Sequence, residues 1–249
     1  MPPVAHIVVR ARGVRVEAGA NDAPFLRHAA LVPVSLQYPL NAFVLPEDNR
    51  LTAQVSPLDD EDAEPGLDLA LTGPDPASAA LLRVSWSLPR GAAFEPFTLS
   101  LPFIPPEAVE TTLWSEGEVV DDLDDAALDG ARALCAELVS AFARRDIDAV
   151  SALLDFRTRE MAAAYEWDLD EHRAEVRETF QGMMDDPGYA LAPVDVATLR
   201  FTPCGDGRAL HVSRADDGEL IGIRSAGSDE EQTMQVYVGR FGDRWRIVR

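Results

Sequence analysis

The chain has 249 residues, 47% of them hydrophobic and 26% charged, which is the composition of a folded globular protein. It carries 43 Asp and Glu residues against 22 basic ones, all of them Arg, so its formal net charge is -21. This negative field excludes nucleic acid and anionic membranes as expected partners, because binding phosphates requires basic side chains presented together. The absence of Lys excludes Schiff-base chemistry, and it also fits the codon bias of a GC-rich bacterial genome.

Sequence signals for a metal, a cofactor or a membrane segment are absent. Cys135 and Cys204 are too few for a disulfide framework, and no Cys and His residues have the spacing of a zinc site. No phosphate-binding loop, dinucleotide fingerprint or nucleophile elbow occurs, so we expect neither a cofactor nor a metal. The N-terminus does not resemble an export signal, and no apolar run approaches the roughly 18 residues of a membrane helix. These features favour a cytoplasmic protein.

Residues 1–110 show short strand patterns separated by prolines. The clearest alternation is Leu82–Leu88, in which Leu82, Val84 and Trp86 share one face. Twelve prolines between positions 33 and 106 exclude long helices and favour edges or bulges for several strands. About seven short strands at such spacing predict a β-sandwich.

An acidic segment interrupts these strands, and it comprises Asp59, Asp60, Glu61, Asp62 and Glu64. A solvated loop is the simplest interpretation. A calcium-binding loop is the alternative, because hard cations prefer clustered carboxylates, but the segment lacks the ligand spacing and glycine of an EF-hand. If the chain binds a basic partner, these five residues are candidate contacts.

Residues 111–122 change in composition and are predicted to be a linker to a second domain, 123–249. There, Asp124 or Asp125 caps an amphipathic helix whose apolar stripe runs to Phe142, with Arg144 and Arg145 in its last turn. A short second helix and a long third one, Arg157–Met184, follow, and strand patterns fill the remainder. Residues 1–110 hold 7 Arg and 14 acidic residues and the remainder 15 and 29, so the formal charges are -7 and -14. Helices followed by an antiparallel sheet predict an α+β domain.

Two segments of the second half resemble NTF2-like (SnoaL-like) domains. The first is Phe142–Leu154, which looks like the first helix–helix junction of that family, and the second is Val236–Val248, which is similar to its closing hairpin. The resemblance covers about half of the chain, from Leu123 onward. It implies a cone-shaped α+β fold, in which helices close a curved sheet and enclose a pocket in the enzymes of the family. The long third helix departs from many members.

Four residues are candidates to line such a pocket: Tyr165, Asp195, His211 and Trp245. Tyr165 and Trp245 occur at the spacing of core aromatics, which is their simplest interpretation. Asp195 follows Val194 in a predicted strand, where burial could tune its carboxylate. His211 lies opposite the face that carries its apolar neighbours, so a surface or interface histidine is expected. His172 is interpreted as a histidine satisfied within its helix. No catalytic motif of the family maps onto these positions.

The favoured hypothesis is a non-enzymatic acidic module that binds a basic protein, in its sharpest form an immunity protein that neutralises a toxin effector. The alternative is a small-molecule isomerase or dehydratase that uses the pocket of the cone. A third role is structural or dimerising, since both faces of the last hairpin carry apolar residues that need cover, which either a second copy of the chain or the β domain could supply. An open apolar cavity would favour the enzyme, and a cone filled by side chains would favour the binding module.

Overall fold

The computed structural model describes residues 5–30, 32–58, 64–73, 80–105, 111–121, 123–225 and 231–249. The chain divides into two compact units, Met1–Glu110 and Thr111–Arg249. In its described part, the first unit is built from strands and one short 3-10 helix, whereas the second combines helices with strands. The fold is therefore a mixture of β and α+β structure.

The first unit contains two antiparallel four-stranded sheets, with strand orders β4-β1-β6-β7 and β3-β2-β5-β8. Their strands are β1 (His6–Arg12), β2 (Val14–Ala20), β3 (Ala23–Ala30), β4 (Val34–Pro39), β5 (Arg50–Pro57), β6 (Gly66–Thr72), β7 (Leu82–Ser87) and β8 (Phe97–Pro102). Gly13, which joins the first strand of each sheet, has a φ of 58°, a conformation that glycine adopts without strain. The alternation in the sequence around Leu82 is confirmed as β7, where exposed residues alternate with half-buried ones.

One hydrophobic cluster draws side chains from both sheets of the first unit. Ile7 and Val9 of β1 belong to it together with Val14 and Val16 of β2, and each is at most 1% exposed. Burial of an aliphatic side chain of this size stabilises a fold by about 1.5–3 kcal/mol. The inward faces of both sheets therefore contribute to the same core.

The second unit contains four helices and seven strands in its described part. They are α1 (Thr112–Glu116), α2 (Asp125–Ala143), α3 (Ile147–Tyr165), α4 (Leu169–Asp185), β9 (Ala190–Leu191), β10 (Arg200–Cys204), β11 (Ala209–Ser213), β12 (Ile221–Arg224), β13 (Gln232–Met234), β14 (Val236–Phe241) and β15 (Arg244–Ile247). The strands form antiparallel sheets of order β10-β11-β14-β15 and β13-β12-β9. None of the helices described is both long and apolar enough to cross a membrane.

Aspartates begin the three long helices. Asp124, Asp146 and Asp168 each accept a hydrogen bond from the backbone N–H three residues on, at 2.7, 3.1 and 2.9 Å respectively. The prediction of one long helix over Arg157–Met184 was wrong, because α3 ends at Tyr165 and α4 begins after Asp168. Asp168 and Glu171, three residues later, form a helix-start pattern. The continuous periodicity of the apolar residues concealed this start.

The segment 111–121 packs into the second unit and is not the linker that was predicted. Leu113 and Trp114 of α1 are buried, and Val120 donates its backbone N–H to the carbonyl of Gly207 at 2.9 Å. The apolar side chains in this segment explain the difference, because their burial favours packing over a solvated linker.

Helices α2 and α3 contribute side chains to the core on one face of the sheet that contains β11 and β14. Leu210 and Val212 of β11 and Val236 and Val238 of β14 are fully buried there. They share a hydrophobic cluster with side chains of the helices, among them Leu138, Phe142, Val150 and Leu154. Side chains from both layers thus occupy the space between these helices and the sheet.

Candidate functional site

The acidic loop predicted to contact a partner falls mostly outside the described residues. Asp59, Asp60, Glu61 and Asp62 are not among them. Glu64 is described and exposed, and its Oε1 lies 3.1 Å from Nη2 of Arg12. This carboxylate therefore already has a basic partner within the first unit.

Tyr165 and Trp245 have packing roles, as their spacing indicated. Tyr165 is 1% exposed at the end of α3, and its ring stacks on Trp167 with centroids 4.7 Å apart. Trp245 lies on β15 and packs against α2 where Gly130 leaves room, since a Cβ at that glycine would lie 2.5 Å from Cδ1 of the indole. Both rings therefore contribute to the interior.

Asp195 does not lie in a strand and is not buried, so this prediction was wrong. It begins a 3-10 helix, Val196–Thr198, and its carboxylate accepts the backbone N–H of Ala197 at 3.1 Å. Short acidic side chains compete well for nearby backbone N–H groups, which favours a helix start over a strand at this position. The exposed Asp195 carboxylate is not the burial-tuned group that was predicted.

His211 of β11 forms a buried pair with Glu219. Nε2 of His211 lies 2.9 Å from Oε2 of Glu219, within hydrogen-bond distance. The histidine is 1% exposed and the glutamate 8%. The expectation of a surface histidine was wrong, because the face opposite Leu210 and Val212 is also covered.

The tight turn at Asp217-Gly218 explains this pair, and it is a signal that the sequence itself carries. Asp217-Gly218 turns the chain so that Glu219 bridges to Ser213, and His211 lies two residues from that partner on the same strand face. Such diagonal neighbours in an antiparallel pair are within reach of long side chains. Tyr237 lies against the imidazole, with ring centroids 5.0 Å apart. The paired side chains are 1% and 9% exposed.

A second buried acid, Glu160 of α3, binds the start of α1. Its carboxylate accepts the backbone N–H groups of Thr112 at 3.1 Å and Leu113 at 2.9 Å. Nη1 of Arg249 lies 3.6 Å away, and both side chains are under 5% exposed. Burial lowers the pKa of Arg249 to about 10, and the negative charge of Glu160 opposes that shift. Sequence reasoning missed this acid, because no local pattern connects α3 to residues about fifty positions earlier.

A groove of about 550 Å³ lies between α1, α3 and the start of α4. Its lining is mixed in charge and includes Arg159, Glu166 and the 46% exposed Trp167. His172 lies behind Trp167, with ring centroids 4.7 Å apart, and within the described part of the chain neither of its ring nitrogens has a hydrogen-bond partner. Its Nδ1 lies 3.7 Å from Oε2 of Glu175, so the histidine is paired within its helix, although it is not hydrogen-bonded among the described residues. Burial lowers its pKa, although the nearby Glu175 opposes the shift.

The last hairpin is covered on both faces within the chain. Val236 and Val238 pack with the helices, while Tyr237 on the opposite face is 1% exposed. Phe241 packs on Phe156 of α3, with ring centroids 4.9 Å apart. The apolar residues of this hairpin therefore do not need a second copy of the chain to cover them. A homodimer remains a prediction, but the hairpin no longer supports it.

The most concentrated negative charge that the structure describes lies around the start of α2. Six acidic residues are described in this segment, and we call them the acidic strip: Glu116, Glu118, Asp121, Asp124, Asp125 and Asp129. The segment 116–129 contains no Arg. All but Glu118, which lies 2.7 Å from Arg240, are exposed. Arg132 is the next basic residue along the chain, and it lies 2.9 Å from Asp125.

Comparison with known proteins adds no relative: no family model, no curated protein and no solved structure matches this chain. Among the described residues, no group of three or more His, Cys, Asp and Glu side chains could hold a metal ion. The site geometry therefore has to carry the functional argument by itself.

Proposed function

We propose that this chain is a non-enzymatic, acidic protein-binding module, built from a β-sandwich and an NTF2-like cone. The sandwich is supported by two four-stranded sheets that share one hydrophobic cluster. The cone is supported by the order of three long helices followed by an antiparallel sheet that ends in the hairpin of β14 and β15. That hairpin lies within Val236–Val248, one of the two segments that carry the family resemblance.

The acidic strip is the observation that carries the binding proposal. Its carboxylates lie at the end of α1, in the segment that follows and in the first turns of α2, all within the second unit, in which the formal charge is -14. A basic protein is the complementary partner, and the field would raise its association rate more than its final affinity. The sharpest form of this proposal is an immunity protein, whose carboxylates would cover the basic active site of a toxin effector.

An isomerase or dehydratase is the second candidate, and the buried pair of His211 and Glu219 is the observation that favours it. Such chemistry needs a proton-transfer group that a substrate can reach. His211 is 1% exposed, and side chains occupy the helix-facing side of its strand. These two observations support the binding module over the enzyme.

Neutralising three exposed acids of the strip tests the proposal directly. The strip variant combines Glu116→Gln, Asp121→Asn and Asp129→Asn, and the control combines Glu137→Gln, Glu171→Gln and Glu178→Gln, which lie elsewhere on the helices and are also exposed. Both variants change the net charge equally. Affinity capture from the source lysate, followed by titration calorimetry with the captured protein, measures the effect.

We expect a basic protein to be captured in stoichiometric amounts by the native chain and by the control variant. Exposed interface charges contribute about 0.2–1 kcal/mol each, so the loss of three should weaken binding of the strip variant about 3- to 150-fold. Added salt should weaken the native complex. Capture of no stoichiometric partner, or equal binding by both variants, would reject the proposal. A small molecule that shifts the ring signals of His211 in the folded protein would favour the enzyme instead.

A further inference from the structure

The outward face of the sheet β4-β1-β6-β7 carries a groove of about 540 Å³, which is lined by residues of all four strands. Three of its lining residues are arginines: Arg10 and Arg12 of β1 and Arg83 of β7. The residues that alternate with them, such as Ala11 and Leu67, belong to the buried core. Alternate side chains of a strand point to opposite faces, so the arginines stand on the outward face above a floor of backbone.

Asp68 holds two of these arginines in place. Its carboxylate accepts hydrogen bonds from Nη1 of Arg10 at 3.0 Å, from Nε and Nη2 of Arg83 at 3.0 and 2.9 Å, and from Oγ of Ser85 at 2.8 Å. These four contacts match the acceptor capacity of a carboxylate. Partial burial by itself would raise the pKa of Asp68, but the hydrogen bonds from Arg83, Ser85 and Arg10 lower it, so the group stays ionised at neutral pH.

The guanidinium groups keep donors that face the groove. A guanidinium has five N–H donors, of which Arg10 gives one and Arg83 two to Asp68. The two side chains are 53% and 61% exposed. Two oriented guanidinium groups with outward donors suit the planar, multi-acceptor geometry of carboxylate and phosphate.

Arg12 adds a third positive charge at the other end of the groove. It is 44% exposed, and it crosses Gly66, where an added Cβ would lie 3.1 Å from its Nε. The missing side chain of Gly66 therefore leaves the space that Arg12 occupies. The ion pair between Arg12 and Glu64, at 3.1 Å, places one competing carboxylate beside the groove.

The groove is positive in a protein of net charge -21. Its lining carries three Arg against one acid, Asp68, which gives a formal charge of +2, and Glu64 reduces this to +1. At physiological ionic strength, charges more than about 8 Å away are largely screened, so these local groups decide which ions enter. Arg10 and Arg12 are two residues apart on one strand, about 6.8 Å, which suits a ligand with more than one anionic group.

We propose that this groove is a binding site for a small multivalent oxyanion, a di- or tricarboxylate or a diphosphate, that Arg10 and Arg83 bind at one end and Arg12 at the other. The volume lies within the range of small-molecule sites, about 300–1,000 Å³. The site belongs to the first unit and is independent of the protein-binding role proposed for the acidic strip.

Nuclear magnetic resonance of the arginine Nε–H groups tests this site with three probes: citrate, pyrophosphate and acetate. Citrate or pyrophosphate should shift the signals of Arg10, Arg12 and Arg83 in a saturable way, and the preferred probe identifies the ligand as a carboxylate or a phosphate. Acetate, with one charge, should bind at least about tenfold more weakly. Arg10→Gln and Arg83→Gln should each weaken binding about tenfold or more, because each removes charge-assisted hydrogen bonds.

A matched control and a variant of opposite sign complete the test. Arg27→Gln removes an arginine that lies 3.0 Å from Glu17 on the other sheet, so it should leave binding unchanged. Glu64→Gln removes the competing carboxylate beside Arg12, so it should tighten binding. The absence of saturable shifts with both multivalent probes would overturn the proposal. So would equal binding of acetate, equal loss in the Arg27→Gln variant, or weaker binding in a folded Glu64→Gln variant.

Discussion

Replacing Gly130 of α2 with alanine should destabilise the second unit, although alanine is normally the better helix residue. An added Cβ would lie 2.5 Å from Cδ1 and 2.9 Å from Nε1 of Trp245, closer than non-bonded atoms approach. The indole would have to move, and overpacking of this kind costs about 1–3 kcal/mol. The gain from replacing glycine within a helix is about 0.8–1 kcal/mol. The expected net loss is therefore about 1 kcal/mol.

Gly182 of α4 provides a matched control, because the same substitution meets no obstacle there. Among the described residues, no heavy atom outside the neighbouring helix backbone lies within 4 Å of an added Cβ at that position. Gly182→Ala should therefore stabilise the unit by about 0.5–1 kcal/mol through helix propensity alone. The two variants should thus differ in sign, with a gap of about 2 kcal/mol between them.

Urea unfolding followed by far-ultraviolet circular dichroism measures this difference, since the described α-helices all lie in the second unit. A change of 1 kcal/mol shifts the midpoint by about 0.5 M when the urea dependence is near 2 kcal/mol per M. Trp245→Leu should relieve the clash, so that Gly130→Ala becomes stabilising in that background. If Gly130→Ala is as stabilising as Gly182→Ala in the native background, the packing role assigned to Trp245 is wrong.

Three further predictions concern buried groups of the second unit. Glu219→Ala should destabilise the second unit by about 1–3 kcal/mol, because it leaves the imidazole of His211 buried without its partner. Glu219→Gln should cost less. Equal urea midpoints for the two variants would contradict this prediction. Because burial lowers the pKa of His172, the folded state binds fewer protons than the unfolded state, so stability should fall as pH drops below about 6.5. His172→Gln should reduce that fall, and an unchanged pH profile would refute the assignment. Burial raises the pKa of Cys135 to about 12, and Cys204 is also buried. A thiol reagent should therefore label both cysteines only in urea. Labelling of Cys135 in the native protein would contradict its burial.

Local patterns predicted most of the elements whose signals are local. The helix from Asp124 to Phe142 is confirmed almost to the residue, because its N-cap and its apolar spacing are both contained within one segment. The alternation at β7 is confirmed for the same reason. The break between α3 and α4 was missed, since the apolar stripe continues across Glu166, which adopts a left-handed conformation with φ 51°. A hydrophobic periodicity does not reveal where a single residue with a left-handed backbone changes the direction of the chain.

The candidate sites also depend partly on local sequence signals and partly on the tertiary structure. The negative charge of the second half follows from counting residues. Its concentration around the start of α2 can form a fixed surface because Leu113, Trp114 and Val120 anchor the segment that was predicted to be a linker. Asp195 was misplaced, because a strand pattern cannot distinguish a carboxylate in a strand from one that caps a short helix.

The sequence by itself determined the strand-rich first half, the capped helices and the acidity of the chain, because each depends on composition or on neighbours a few residues apart. Only the tertiary structure decided that His211 is buried with Glu219 and that Arg10 meets Asp68, 58 residues away, in one groove. The physical reason is that a periodic pattern indicates which side of a strand a residue occupies. What covers that side, and which distant charges meet there, depends on how the strands pair and pack.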